Sequence, residues 1–323
     1  MNVLLVVGAI TLAITIIKIV FKLTTYSNNS YTCLLGKIAI VTGSNTGIGF
    51  YTAQDFAMRG ATVILACRNV DKAYNAKEEI IKNTGNQNII VEIVDFASLK
   101  SVRELSQRIK SKYKKIDILV NNAGVMLFED ITTEDGLTMS MQVNFFGPFL
   151  LTMLLIDLIQ NSKSGRIVNL SSRTVYASRL KPDDLNYIAT SFASRFFYTN
   201  YANSKLCVML WTNELASRLK GTGIIVNSLH AGDSYTQLLR HTSSLMLLLY
   251  WLGSLLLLRT PTEGAQTIIY GAVSKELENV SGRYLFNCGV CKTPKVARNK
   301  ELGKRIWASA ENFVKLTKEE QLI

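Results

Sequence analysis

A doubly wound α/β domain, a parallel sheet covered by helices on both faces, is the fold class this 323-residue sequence predicts. Three observations predict it. From Gly36 onward, short Val/Ile/Leu runs alternate with helical stretches. The runs are apolar throughout rather than at every second residue, the pattern of strands buried on both faces. A glycine-rich turn joins the first run to the first helix. No Pro/Gly/Ser linker or internal repeat divides residues 36–323, so one domain is expected there.

The elements follow in order. KIAIVTG (37–43) is the first strand, and the turn after it opens a helix through about residue 59. ATVILAC (61–67) is the second strand, and residues 71–85 form a helix stopped by Gly85, a residue suited to a left-handed cap. NIIVEIVDF (88–96) is the third strand, residues 98–113 a helix, and IDILVNNAG (116–124) the fourth strand. Residues 136–160 are mostly helical, followed by GRIVNLSS (165–172) as strand five. A helix over 198–220 ends at Gly221, GIIVNSLH (223–230) is strand six, and GRYLF (282–286) suits a seventh.

Ahead of the domain, residues 3–21 read VLLVVGAITLAITIIKIVF, with Lys18 as the single charge. At 1.5 Å per residue such a helix would reach about 28 Å, close to a hydrocarbon core. Lys18 and Lys22 stand at its C-terminal end, and the positive-inside rule then favours the cytosol for the domain that starts at Gly36. We read 1–23 as a membrane anchor helix and 24–35 as a linker. A cleaved signal peptide is the rival, but the run has no basic flank before it and no clear small-residue cleavage site after it.

Composition narrows the function. With 48% hydrophobic and 19% charged residues, the chain is not largely disordered. Five cysteines make no disulfide scaffold, and two histidines (His230, His241) make no multi-histidine metal centre. The net charge of +12 asks for an anionic partner, but no nucleic-acid module accompanies it.

The turn TGSNTGIG contains Gly43, Ser44, Asn45, Thr46, Gly47, Ile48 and Gly49. Its glycines let the backbone approach an anion, and the helix N-terminus behind offers unpaired N–H groups and a favourable dipole. Placed after the first strand, it reads as a dinucleotide site in a Rossmann-type sheet. The second strand ends Cys67-Arg68, where a carboxylate would bind the ribose diol of NAD. A guanidinium there suits a 2′-phosphate, so NADP(H) is the expected cofactor. Asp95 ends the third strand where it could meet the adenine edge, or else cap the next helix; Phe96 follows it.

Tyr201 and Lys205 of Tyr201-Ala202-Asn203-Ser204-Lys205 stand at i and i+4, on one helix face. A nearby ammonium favours the phenolate and would bring a tyrosine toward working pH as an acid/base. Lys205 could also hold the nicotinamide ribose. Ser172, at the end of strand five, could hydrogen-bond a substrate oxygen beside Tyr201, and Asn144, within a helix, could bind a relay water. Asn122, Ala123 and Gly124 end the fourth strand on the cofactor side.

TGSNTGIG, NNAG, VNxxG (143–147), IVNLSS and YANSK occur in order, and with them the chain resembles the short-chain dehydrogenases/reductases. ACRN, NNAGVM, GPFLLT, NSKL, LKGTG and TPTEGAQT make it similar to the membrane-anchored retinol dehydrogenases. The resemblance covers roughly residues 36–310. It implies an NADP(H)-dependent oxidoreductase with Asn144, Ser172, Tyr201 and Lys205 as catalytic tetrad, and a membrane location, the endoplasmic reticulum with the catalytic domain facing the cytosol. Its expected substrate is a lipophilic alcohol or aldehyde/ketone, retinol/retinal first; a steroid or polyprenoid carbonyl is an alternative, and homodimerisation stays open. The family's threonine after strand six, a cofactor contact, corresponds to Thr236. The usual His-Pro-Gly reads His230-Ala231-Gly232 here, which frees φ at one position. That change motivates a further alternative, an NADP-binding membrane protein with little catalysis.

Residues 241–260 form an apolar lid segment: LMLLLYWLGSLLLL (245–258) is short for a span and would cover the substrate cleft or dip into the interface. Phe192, Phe196 and Phe197 could add apolar walls. Cys288-x-x-Cys291 is half a zinc pattern without a second half, hence two unrelated thiols. No metal is expected.

Overall fold

Eight strands form one sheet in the computed structural model, which describes Thr15, residues 30–196, 198–232 and 259–321, and Ile323. The anchor segment 3–21 (Thr15 apart), Thr236, His241, Phe197 and 241–258 of the lid segment lie outside the described residues. The strands are β1 (Ile38–Thr42), β2 (Thr62–Cys67), β3 (Ile89–Ile93), β4 (Ile118–Asn121), β5 (Arg166–Leu170), β6 (Ile225–Leu229), β7 (Tyr284–Phe286) and β8 (Gly289–Cys291). Their order is β3-β2-β1-β4-β5-β6-β7-β8. All neighbours pair in parallel except β7 and β8, an antiparallel hairpin turned by Asn287 and Cys288 at φ 51° and 52°. β1 pairs β2 on one side (Ile40↔Ile64) and β4 on the other (Ile40↔Leu119). The chain therefore changes direction across the sheet at β1/β4, where α/β folds open a ligand crevice at the strand C-termini.

Helices α1 (Gly47–Met58), α2 (Val70–Thr84) and α6 (Pro261–Val273) cover one face; α3 (Leu99–Lys112), α4 (Gly147–Gln160), α5 (Thr199–Arg218) and α7 (Lys300–Phe313) cover the other. Local chemistry sets their ends. Asn69 and Ser98 cap α2 and α3, Thr260 and Glu263 form a capping box on α6, and Gly85 closes α2 at φ 73°. The α3/α4/α5/α7 face holds the aromatic core, where Phe149 meets Trp307 edge-on at 5.1 Å and Trp211 at 5.8 Å. Truncating either fully buried tryptophan to alanine would cost about 3–5 kcal/mol.

The stretch Met139–Gln160 is long and apolar enough to cross a membrane, yet 94% of its most apolar window is buried in the protein. It is a core element, so part of the apolar surplus belongs to the domain itself. Asn144 does not sit in a regular α-helix as expected. It lies in a π-helical turn, Gln142–Phe146, ahead of α4. β8 is a three-residue edge strand with no apolar run of its own to announce it in the sequence. Cys288 packs with the α1/α2/α6 face and Cys291 with the opposite one, so the two thiols do not converge on a point. Among the described residues no group of three His, Cys, Asp or Glu could hold a metal.

Candidate active site

Thr42 ends β1, and its hydroxyl does three jobs at the crevice. Oγ1 donates to the Val120 carbonyl at 3.3 Å and accepts from the N–H groups of Asn122 and Ala123, each at 2.9 Å. The Asn122 amide donates back to the carbonyls of Thr42 (2.7 Å) and Gly43 (3.1 Å). The turn of β1 and the Asn122-Ala123-Gly124 segment after β4 are thereby locked side by side. The lock leaves no room for side chains. A Cβ on Gly43 would come 2.9 Å from Ala123 Cα, and one on Gly49 would come 2.4 Å from Asn122 Nδ2. Thr46 is the N-cap of α1 but makes no side-chain cap hydrogen bond, which leaves the first N–H groups of the helix facing the turn.

Ser44 is fully buried in this turn. Its hydroxyl turns inward to the Val41 carbonyl at 2.8 Å and lies 3.5 Å from the Cys67 thiol, whose pKa burial raises. Asn45, Thr46, Gly47 and Ile48 are all partly exposed in this turn. Arg68 and Asp95, predicted separately, stand together at the ends of β2 and β3, 3.9 Å apart with 57% and 39% of their side chains exposed. Asp95 does not cap α3: Ser98 does, while Asp95 Oδ1 closes a local turn by accepting from Ala97 N at 2.9 Å. Phe96 is buried, with its ring against Gly147, where a Cβ would come 2.8 Å from Phe96 Cδ1. Its ring is thus committed to the core.

On the other side of the crevice, α5 carries Tyr201 and Lys205, 6% and 4% exposed. Lys205 Nζ donates to the Leu170 carbonyl at the end of β5 (2.9 Å) and sits 5.5 Å from the centre of the Tyr201 ring. Burial drives the Lys205 pKa down from 10.5 to about 8. Ser171 donates from Oγ to the Lys205 carbonyl at 2.7 Å, fastening α5 to the same strand end. Ser172 is buried beside it and accepts from Thr174 N at 3.2 Å, starting the short helical turn Arg173–Ala177. Asn144 Oδ1 accepts from Val125 N (2.8 Å), and its amide donates to the Val125 carbonyl (2.9 Å) and Ser204 Oγ (3.0 Å). Ser204 in turn donates to the Tyr201 carbonyl at 2.7 Å. The π-turn gives Asn144 the angle to clamp the segment after β4 to α5. A Cβ on Gly124 would come 3.2 Å from Asn144 Oδ1 and 3.6 Å from Lys205 Nζ, so the glycine keeps the space between them open.

Sequence reading missed Thr42, Ser171, Ser204 and Tyr284. The first three show as hydroxyls at strand ends or within a helix beside a motif residue. Tyr284 gives no such signal. It lies on β7, 6% exposed, and its hydroxyl has no hydrogen-bond partner among the described residues. Burial, then Cys291, Tyr176 and Tyr201 close by, raise its pKa. Tyr198 holds φ 48° just ahead of α5, its ring edge-on to Phe128 at 6.3 Å. His230 is buried and stacked on Phe286 at 5.4 Å. Phe192 is 76% exposed.

A glycine cradle at a helix N-terminus, opposite a buried Tyr/Lys pair, fits a nicotinamide dinucleotide. The sequence profile of short chain dehydrogenases matches residues 37–245. The chain belongs to the short-chain dehydrogenase family. It is 42% identical over 289 residues to mouse (Mus musculus) retinol dehydrogenase 13, covering 87% of this chain and 84% of that protein. It is 40% identical over 276 residues to human (Homo sapiens) retinol dehydrogenase 11, covering 85% and 84%. Among solved structures, a protein of Mycobacterium paratuberculosis superposes with TM-score 0.69 at 26% identity, over 88% of this chain and 95% of that one. A short-chain dehydrogenase of Escherichia coli CFT073 complexed with NADPH gives TM-score 0.61 at 25% identity, over 80% and 99%. As a short-chain dehydrogenase resembling the retinol dehydrogenases, this protein is an oxidoreductase acting on CH–OH groups with a nicotinamide cofactor.

Proposed function

We propose that this short-chain dehydrogenase is membrane-anchored through residues 1–23, with a linker over 24–35 and the catalytic domain over 36–323 facing the cytosol from the endoplasmic reticulum. It interconverts a lipophilic alcohol and its aldehyde or ketone, retinol/retinal-like, with NADP(H). The observation that carries the chemistry is the buried Tyr201/Lys205 pair seated on the end of β5 opposite the glycine cradle. The names of its retinol dehydrogenase relatives support the substrate class, and the NADPH-bound structural relative supports the phosphorylated cofactor. Arg68 stands where a 2′-phosphate would be held, with Asp95 as its present, partly exposed partner. Residues 43–49 and 122–124 would hold the dinucleotide, and Thr236 would add a contact from the loop after β6. The lid segment 241–260 would close over the substrate.

The bound nicotinamide supplies the hydride in reduction and accepts it in oxidation. The chain's own residues handle the proton. In reduction the Tyr201 hydroxyl gives its proton to the substrate oxygen as the C–H bond forms; in oxidation the Tyr201 phenolate takes it back. Lys205, protonated below about 8, places positive charge beside the phenol and lowers the cost of that phenolate. Ser172 Oγ hydrogen-bonds the substrate oxygen, and Asn144 fixes the distance between the cofactor segment and α5.

The test is turnover of retinal with NADPH by membranes carrying the full chain, compared with Tyr201→Phe. A loss of about 10²–10⁴-fold with NADPH binding retained is the expected result. Wild-type turnover that survives Tyr201→Phe would overturn the acid/base assignment, and equal use of NADH would overturn the cofactor choice.

A further inference from the structure

In a parallel sheet every helix-to-strand connection returns to the same end. Here that end gathers cations: Lys82 before β3, Lys114 before β4, Lys163 before β5, Lys220 before β6, and Lys275 and Arg283 before β7. All six are exposed, and none has an ion pair among the described residues. The acids at this end are largely engaged. Asp117 is buried and paired with Lys37 and Lys115, Asp55 is paired with Arg59, and Glu276 and Glu278 are left exposed. The opposite end, which carries the site, is mixed in sign, with Glu129, Glu134, Asp135, Asp183 and Asp184 among its loops.

The described chain enters at the same cationic end. Thr32 donates to the Val273 carbonyl at the foot of α6, and Leu34 N donates to the Arg59 carbonyl after α1. Around that entry Tyr31, Leu35 and Met58 are 97%, 80% and 60% exposed. Only residues 22–29 separate Ser30 from the apolar run 3–21, a reach of at most about 28 Å.

We propose that this end of the sheet, the one opposite the active site, is a docking surface for an anionic lipid bilayer, with the six cations over the headgroups and Tyr31, Leu35 and Met58 at the interface. The proposal rests on reading 3–21 as an anchor. The tether brings this end within range of the surface, and screening limits attraction to charges within roughly 8 Å of it, so the loops before the strands act and those after them do not. The substrate entrance then opens away from the bilayer plane.

The test uses the full chain reconstituted in vesicles, either phosphatidylcholine alone or with about 30% phosphatidylserine. Lysine acetylation is then footprinted by mass spectrometry. Lys82, Lys114, Lys163, Lys220 and Lys275 should label roughly threefold more slowly in the anionic vesicles, and high salt should erase the difference, while Lys72 and Lys100 near the site stay unchanged. Equal labelling in both vesicles with the protein still floating would refute the docking surface and leave the anchor standing. Protection of Lys72 and Lys100 instead would refute it too. A chain that does not float overturns the anchor reading itself. The variant Lys114→Glu/Lys163→Glu/Lys220→Glu/Lys275→Glu should bind NADPH and float like wild type, but show no anionic-lipid protection at Lys82.

Discussion

Replacing Lys205 by methionine separates catalysis from stability in this fold. The lysine is 4% exposed, its ammonium donates to the neutral Leu170 carbonyl, and burial pulls its pKa from 10.5 to about 8. The unfolded chain therefore keeps the proton up to about 10.5 while the folded chain releases it near 8. Between those values the unfolded state binds more protons, so this group's contribution to stability rises with pH. At 1.36 kcal/mol per pKa unit, holding Lys205 charged below pH 8 costs the fold about 3 kcal/mol, of which about 2 return by pH 9.5. Lys205→Met removes the buried charge and loses one hydrogen bond worth about 1 kcal/mol. The variant should be at least as stable as wild type at pH 7 and inactive. The check is denaturant unfolding of the full chain in detergent at pH 7 and pH 9.5. Wild type should gain on the variant by about 2 kcal/mol across that interval. A variant that loses more than about 1 kcal/mol at pH 7, or an unchanged gap at pH 9.5, would refute the reasoning.

Gly49→Ala forces a Cβ to within 2.4 Å of Asn122 Nδ2 and 2.5 Å of the Gly43 carbonyl, so it should cost about 1–3 kcal/mol and weaken NADPH binding, read by unfolding and by fluorescence titration. Arg68→Ala should raise the NADPH KM about tenfold and leave the NADH KM unchanged; its 3.9 Å pair with Asp95 is exposed, so stability should move by less than about 1 kcal/mol. Tyr284→Phe removes a buried hydroxyl that has no hydrogen-bond partner among the described residues, and Tm should hold or rise. A fall in Tm of several degrees would show that the hydroxyl does have a structural partner.

The sheet was legible because its strands are continuous apolar runs and its helices end at residues with one reason to be there, such as Gly85 at φ 73°. Positions 43, 47 and 49 likewise announce the cradle through glycine alone. What the sequence hid depends on three-dimensional angle. The π-turn over Gln142–Phe146 has no compositional mark, yet it decides that Asn144 reaches both Val125 and Ser204. Arg68 and Asp95 end different strands, and their meeting follows from the β2/β3 register Cys67↔Ile93. Phe96 directly follows Asp95, whose carboxylate is partly exposed, yet Phe96 is buried. A one-residue step at a strand end turns a side chain to the other side, and here it turned the ring into the core against Gly147.

The same parallel topology ties these observations together. Because strands β1 to β7 run one way, everything after a strand collects at one end and everything before a strand at the other. The first end needs open backbone and buried groups of tuned charge: the Thr46 N-cap, Gly124 and Lys205 supply them, and acids and bases alternate around them. The described residues of the candidate site all lie at the first end, and the second end carries the loops that precede the strands. Exposed Lys82, Lys114, Lys163, Lys220 and Lys275 stand there, at the end where the described chain enters the domain, so part of the basic surplus lies away from the catalytic site.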